Sequence, residues 1–225
     1  MPLVDGLEAK EHPTLQDYID GVSEYVCNHA TLDRGQKKAA QIRLSAALGR
    51  VLLGDLARSI PRLRKSGYAG ERPVAGALRI AKADVSESHP LDGLRLAVEI
   101  KPVNLAVGRA IWNRFGDIRA FAVNIHLKFP FAVVGGVLVV PTYEQTSNGK
   151  RSTVHLIEKA VDRLRRAGGR VTEGHAAHLL EGIAVVAYDP DTATIAAEVP
   201  QPGHGLRWDE FVATLAATYQ ARFED

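Results

Sequence analysis

The sequence has a single cysteine, Cys27, among its 225 residues, which excludes a disulfide framework and a cysteine-rich zinc site. No apolar run approaches the roughly 20 residues that a membrane-spanning helix needs. Residues 1–12 are acidic and mixed in character, and they do not resemble a signal peptide. Apolar residues make up 46% of the chain and charged residues 24%, as in folded globular proteins. We therefore expect a cytoplasmic protein without membrane association.

The net charge is only +2, but the positive charge is concentrated in the middle of the chain. Residues 34–65 hold nine Lys or Arg residues and one acid, and residues 150–170 hold seven against two. Acids are in excess in residues 1–33 and 171–225. A basic centre favours a surface that binds a polyanion such as nucleic acid. The alternative at this point is that amphipathic helices carry basic faces toward solvent.

Local patterns predict an α/β fold with a helical N-terminal part. Helices are predicted over residues 14–30, 32–60, 104–120, 154–167 and 208–223, the second of them with a break near Gly49 or Gly54, or without one. Strands are predicted over residues 76–86, 94–101, 131–140, 182–188 and 193–199, and loops over residues 66–73 and 143–152. Residues 122–127 are compatible with a continued helix or a short strand. We divide the chain into a helical segment, residues 1–65, and a core, residues 66–225, within one domain.

A Glu-x-Lys triplet lies on the second predicted strand, with Glu99 and Lys101 two residues apart. Side chains two apart on a strand point to the same face, so this carboxylate and this ammonium lie together on a rigid element. The apolar residues between them belong to the opposite, core-facing side. The triplet alone is common, because Glu8 and Lys10 match it as well.

The second acid that would complete a site has two candidates, Asp84 and Asp92. If the first two strands form a hairpin with Val85 opposite Val98, Asp84 lies beside Glu99. Asp92 precedes a glycine in a typical turn dipeptide, and on an extended strand it would be about 23 Å from Glu99. We therefore favour Asp84 and keep Asp92 as the alternative first acid.

An acid followed by Glu-x-Lys on an antiparallel pair, then a helix, then an apolar strand, resembles the PD-(D/E)XK nuclease superfamily, and more narrowly a Type II restriction endonuclease. The resemblance covers residues 76–141 and depends on Asp84, Glu99 and Lys101. It departs from the family pattern in having no Pro-Asp dipeptide before the acid. It implies a restriction-endonuclease-like mixed β-sheet flanked by helices.

The resemblance also implies a function, the Mg²⁺-dependent, sequence-specific hydrolysis of double-stranded DNA. Asp84, Glu99 and the carbonyl of Ile100 would bind the ion, and Lys101 would act on the attacking water and the scissile phosphate. It further implies a homodimer, a prokaryotic host, and a cognate DNA methyltransferase as companion. A repair or recombination nuclease on the same fold is the alternative enzyme. A non-catalytic DNA-binding regulator, with residues 34–65 as a helix-turn-helix, is the alternative from another class.

Candidate DNA-binding residues follow the triplet in two groups. The first is on the helix after Lys101, where arginines can hold phosphates and Asn104 can cap the helix. The second is on the polar loop after the apolar strand, which is rich in groups that read base edges. The candidates are Asn104, Arg109, Asn113, Arg114, Tyr143, Gln145, Asn148, Lys150 and Arg151. For each one, an ordinary solvent-exposed role is the alternative.

Overall fold

A computed structural model describes residues 1–224. The helices are α1 (Pro2–Ala9), α2 (Leu15–Asn28), α3 (Arg34–Ser59), α4 (Leu63–Ser66), α5 (Val107–His126), α6 (Val154–Arg165) and α7 (Trp208–Phe223). The strands are β1 (Gly67–Val74), β2 (Ala81–His89), β3 (Gly93–Pro102), β4 (Val133–Pro141), β5 (Tyr143–Thr146), β6 (Gly149–Ser152), β7 (Gly182–Asp189) and β8 (Thr194–Ile195).

Six strands form one mixed sheet in the order β1-β2-β3-β4-β7-β8. The first three are antiparallel neighbours, β4 is parallel to both β3 and β7, and β8 returns antiparallel to β7. The central parallel strand β4 is apolar and buried along its whole length because helices cover both of its faces. The expected α/β fold with a mixed sheet flanked by helices is therefore observed.

Helices lie on both faces of the sheet and enclose two apolar layers. Residues from α1, α2, α3 and α7 pack with Val98 and Val137 on one face. Residues from α5 and α6 pack with Ala97 and Leu138 on the other. The N-terminal helices thus share a core with the sheet. Within residues 1–224, no helix combines the length and the apolar character needed to cross a membrane.

Two of the helices begin at capping boxes. Thr14 caps α2 and Asp17 completes the capping box, and Asp33 with Gln36 does the same for α3. The α3 helix continues without a break through Gly49. Residues 34–65 therefore do not form the helix-turn-helix that the regulator alternative requires.

Two segments predicted as loops are strands. Residues 66–73 contribute β1, an edge strand whose glycines and Pro73 are accommodated because its outer side needs no ladder hydrogen bonds. Gly70 has φ +138° at the irregularity in its pairing with β2. The predicted loop 143–152 is the β5–β6 hairpin, in which Gly149 adopts φ +103° after the turn. Residues 122–127 are no separate strand, since α5 continues to His126.

Candidate active site

The strands β2 and β3 part at Asp84. Their ladder ends with Val85 opposite Val98, the pair that hydrophobic alternation predicts. The expected direct pairing of Asp84 with Glu99 is not part of the ladder. Instead, the backbone N–H of Ile100 donates a hydrogen bond to the Asp84 carboxylate, with an N···O distance of 2.6 Å. Asp84 is thus held on the backbone of the strand that carries the Glu-x-Lys triplet.

Glu99 and Lys101 form an ion pair on β3, with side chains that are 11% and 23% exposed. Burial raises the pKa of Glu99 to about 7, although the Lys101 ammonium acts in the opposite direction. Glu99 therefore changes its protonation state near neutral pH. Carboxylates with this property are concentrated at functional sites.

The pKa of Asp84 is also above its ordinary value, mainly because the side chain is buried. The hydrogen bond from Ile100 and the charge of Lys101 reduce this effect. The negative charge of Asp84 further raises the pKa of Glu99. Two partly desolvated carboxylates that repel each other are stabilised by a cation that both can contact.

Three neighbouring cavities that share lining residues lie along these side chains. The first, of about 340 Å³, is lined in part by Asp84, Glu99 and Lys101. The second, of about 360 Å³, shares Asp84 and Lys101 with the first. The third, of about 470 Å³, shares Asn104 and Leu105 with the second. We call these three cavities together the groove.

The groove brings together five of the nine predicted DNA-binding residues. Those that line it are Asn104, Arg109, Arg114, Gln145 and Arg151. It also contains polar residues that sequence reasoning missed, namely Gln41, Ser45, Glu71, Arg79, Lys82 and Asp117. Glu71 on β1 and Arg79 on the loop before β2 belong to no sequence pattern that predicts a site. Gln41 and Ser45 are four residues apart on α3, and this spacing places them on the same face of the helix.

The four other predicted DNA-binding residues are outside the groove lining. Asn113 is exposed on α5, and Asn148 is exposed at the tip of the β5–β6 hairpin. Lys150 forms an ion pair with Asp191, and its ammonium lies 4.5 Å from the centre of the Tyr143 ring. The ion pair attaches the hairpin to the turn between β7 and β8.

The start of α5 differs from the prediction that Asn104 caps it. The helix begins at Val107, and Ala106 precedes it in a left-handed conformation with φ 53°. The carboxylate of Glu144, on β5, accepts a hydrogen bond from the Val107 N–H at 2.7 Å and pairs with Arg151. Asn104 is thus released from capping, and its side-chain oxygen is buried without a hydrogen-bond partner within residues 1–224.

Asp92 lies at the turn between β2 and β3, away from the groove. Its carboxylate accepts a hydrogen bond from Arg95 Nε at 2.6 Å and lies 3.3 Å from His89 Nδ1. It borders a separate cavity of about 450 Å³ together with Arg95 and Phe131. The structure therefore places Asp84, and not Asp92, beside Glu99.

Comparisons with protein-family models, with curated proteins and with solved structures found no match to this chain in any of the three.

Proposed function

We propose that this protein is a Mg²⁺-dependent endonuclease of double-stranded DNA, with sequence specificity of the Type II restriction kind. The observation that carries the proposal is the convergence of Asp84, Glu99 and Lys101 on one cavity where β2 and β3 part. Two carboxylates can hold a metal ion that assists phosphodiester hydrolysis, and a lysine can act on the attacking water and the phosphate. The order of hairpin, helix and parallel strand also agrees with the PD-(D/E)XK superfamily, to which we assign the chain as part of this proposal.

The donor groups fit Mg²⁺. Within residues 1–224, no group of three or more His, Cys, Asp or Glu side chains is arranged as a metal site. The proposed ligands are two carboxylates, Asp84 and Glu99, with the carbonyl oxygen of Ile100. Mg²⁺ is commonly held by one or two carboxylates while water and substrate phosphates supply the remaining oxygens. The raised pKa values of both acids indicate that the site favours a compensating positive charge.

Lys101 has a defined part in this proposal. Its ammonium pairs with Glu99 and lowers the pKa of both carboxylates, so it keeps them closer to the ionised form that a cation requires. The same ammonium borders the groove, where it can orient an attacking water and contact the scissile phosphate. A bound Mg²⁺ would supply electrostatic stabilisation of the charge that develops on the phosphate oxygens.

The groove supplies the rest of a DNA-binding site. Arg114 of α5 borders the cavity that contains Asp84, Arg109 borders the third cavity, and both arginines can hold phosphates. Gln145 and Arg151 enter it from the β5–β6 hairpin and carry groups that read base edges. We assign phosphate binding to the helix and sequence readout to the hairpin.

We further propose a homodimer, since cutting both strands of a symmetric site is accomplished most simply by a two-fold axis. A DNA methyltransferase of the same sequence specificity would protect the host DNA. A repair or recombination nuclease with the same residues is the alternative within this chemistry.

The test is incubation of the purified protein with plasmid DNA and Mg²⁺, with Glu99→Ala and Lys101→Ala beside the wild type. We expect discrete fragments from the wild type and cleavage rates lower by several orders of magnitude in both variants. Glu158→Ala, which removes an exposed acid of α6, serves as the control and should cut normally. A smear would indicate a nonspecific nuclease. Uncut plasmid with wild-type protein that still binds DNA would overturn the proposal in favour of a non-catalytic DNA-binding protein.

A further inference from the structure

The long helix α3 forms one wall of the groove. Gly49 packs so closely against β2 that a Cβ atom there would lie 3.4 Å from the backbone oxygen of Asp84. Toward the N-terminus of the helix, Ser45 and Gln41 line the cavity that contains Asp84 and Lys101. The middle of α3 therefore lies beside Asp84, and the N-terminal turns of the helix extend away from it.

Gln41 and Ser45, which line the groove, share one face of α3 with Gly49 and with two cations at the start of the helix. Arg34, Lys38, Gln41, Ser45 and Gly49 are separated by four, three, four and four residues. At 3.6 residues per turn they lie within about 80° of one another, on one face. At 1.5 Å per residue, Arg34 lies about 22 Å along the axis from Gly49. We call Arg34, Lys38, Gln41 and Ser45 the α3 stripe.

The cations of α3 divide into two classes. Three have internal partners, since Arg43 pairs with Asp5 and Glu8, Arg50 donates to the carbonyl of Leu7, and Arg58 pairs with Asp55. The other three are the exposed Arg34 and Lys38 and the half-buried Lys37, and none of them has an ion pair or side-chain hydrogen bond within the described part of the chain. Fold stability therefore explains the first class of cations but not the second.

We infer that the α3 stripe binds the phosphate backbone of the DNA duplex that enters the groove. Arg34 and Lys38 would contact phosphates beyond the cleavage position, and the uncharged Gln41 and Ser45 would follow the same strand toward the acids. Arg109 and Arg114 border the groove from α5, so the α3 stripe would add positive charge on a second side. This inference rests on the proposed function for the identity of the polyanion.

The second basic segment of the chain has a different position. Arg165 and Arg166, at the end of α6, are exposed, but no residue of α6 lines the three cavities of the groove. The structure thus separates two basic segments that look equivalent in the sequence. It also provides a matched control with the same number of charges.

The experiment measures binding of the full-length protein to a fluorescent duplex of mixed sequence, over a series of salt concentrations. EDTA is present so that no DNA is cut, and phosphate contacts are measured independently of sequence. Each lost phosphate contact should reduce the slope of log affinity against log salt by about 0.9. For Arg34→Ala/Lys38→Ala we expect roughly ten-fold weaker binding at moderate salt and a slope smaller by about 1.8. Arg165→Ala/Arg166→Ala should retain the wild-type slope.

Misfolding is not expected to explain the loss, because cations in the first turns of a helix oppose its dipole and their removal does not weaken it. Circular dichroism melting should show unchanged stability. An unchanged slope in the Arg34→Ala/Lys38→Ala variant, or an equal loss in the α6 control, would overturn the inference. If the wild type binds with a steep salt dependence but never cuts DNA, the proposed function is wrong, whereas the inference that the α3 stripe binds phosphates still holds. A wild type that binds no duplex overturns both.

Discussion

The Asp84 carboxylate accepts a hydrogen bond from the backbone N–H of Ile100, and this 2.6 Å contact joins the two strands at the position where they part. The first acid is therefore positioned by the backbone between Glu99 and Lys101 rather than by a ladder pair on its own strand. Because the donor is a backbone group, it holds the Asp84 carboxylate at a fixed position on β3.

Burial of Glu99 makes the stability of the protein depend on pH. Its pKa is raised from 4.5 to about 7 on folding, so the folded state favours the protonated acid. This contribution is complete below about pH 4.5 and is lost as the pH rises through about 7. We expect the unfolding free energy of the wild type to fall relative to Glu99→Gln by about 1–3 kcal/mol across that window. Urea unfolding of both proteins at several pH values measures the difference, and a constant difference contradicts the burial effect.

Mg²⁺ should stabilise the protein through the same two acids. Ligand binding to the folded state raises the melting temperature, and a cation that needs ionised Glu99 binds more tightly as the pH rises. We expect the shift on adding Mg²⁺ to be larger at about pH 8 than at about pH 6. In Asp84→Asn/Glu99→Gln the shift should disappear. Differential scanning calorimetry with and without the ion tests this, and equal shifts in wild type and variant place the ion elsewhere.

Asp84 and Asp92 should respond differently to the same substitution. Asp84→Ala removes a proposed metal ligand and should reduce cleavage by several orders of magnitude. Asp92→Ala should cut at close to the wild-type rate but lose about 1–3 kcal/mol of stability, since the charge of Arg95, 8% exposed, then lacks its partner. Parallel cleavage and melting measurements on the two variants decide between the acids. An inactive, stable Asp92→Ala would move the first acid to the turn.

Within the β5–β6 hairpin, Gln145 should affect sequence choice more than Lys150. Gln145 lines the groove, whereas Lys150 pairs with Asp191 away from it. Base-edge contacts discriminate by about 1–3 kcal/mol each, so Gln145→Ala should lower cleavage at the cognate site more than at a site differing by one base pair. Lys150→Ala and Asn148→Ala should change both sites alike. Equal losses at the two sites in Gln145→Ala would assign readout to another element.

Local sequence predicted much of the fold because the relevant interactions are local. The cap of α2 needs only Thr14 and Asp17, and the β2–β3 register follows from which residues alternate as apolar. The predictions failed where glycine and proline, which usually mark loops, lie on strands that need few ladder hydrogen bonds. These are the edge strand β1 and the short β5–β6 hairpin.

What the sequence determined by itself is the local chemistry of this protein, including the Glu-x-Lys triplet, its strand and the acid that alternation places nearby. Only the tertiary structure decided which distant groups join that chemistry. Glu144 replaces Asn104 at the start of α5, and Gln41 and Ser45 of α3 line the same cavity as Asp84. The physical reason is the separation along the chain of the interacting residues, since caps and strand patterns depend on neighbours a few residues away. A groove depends on how helices pack on the sheet, and segments far apart in the chain determine that together.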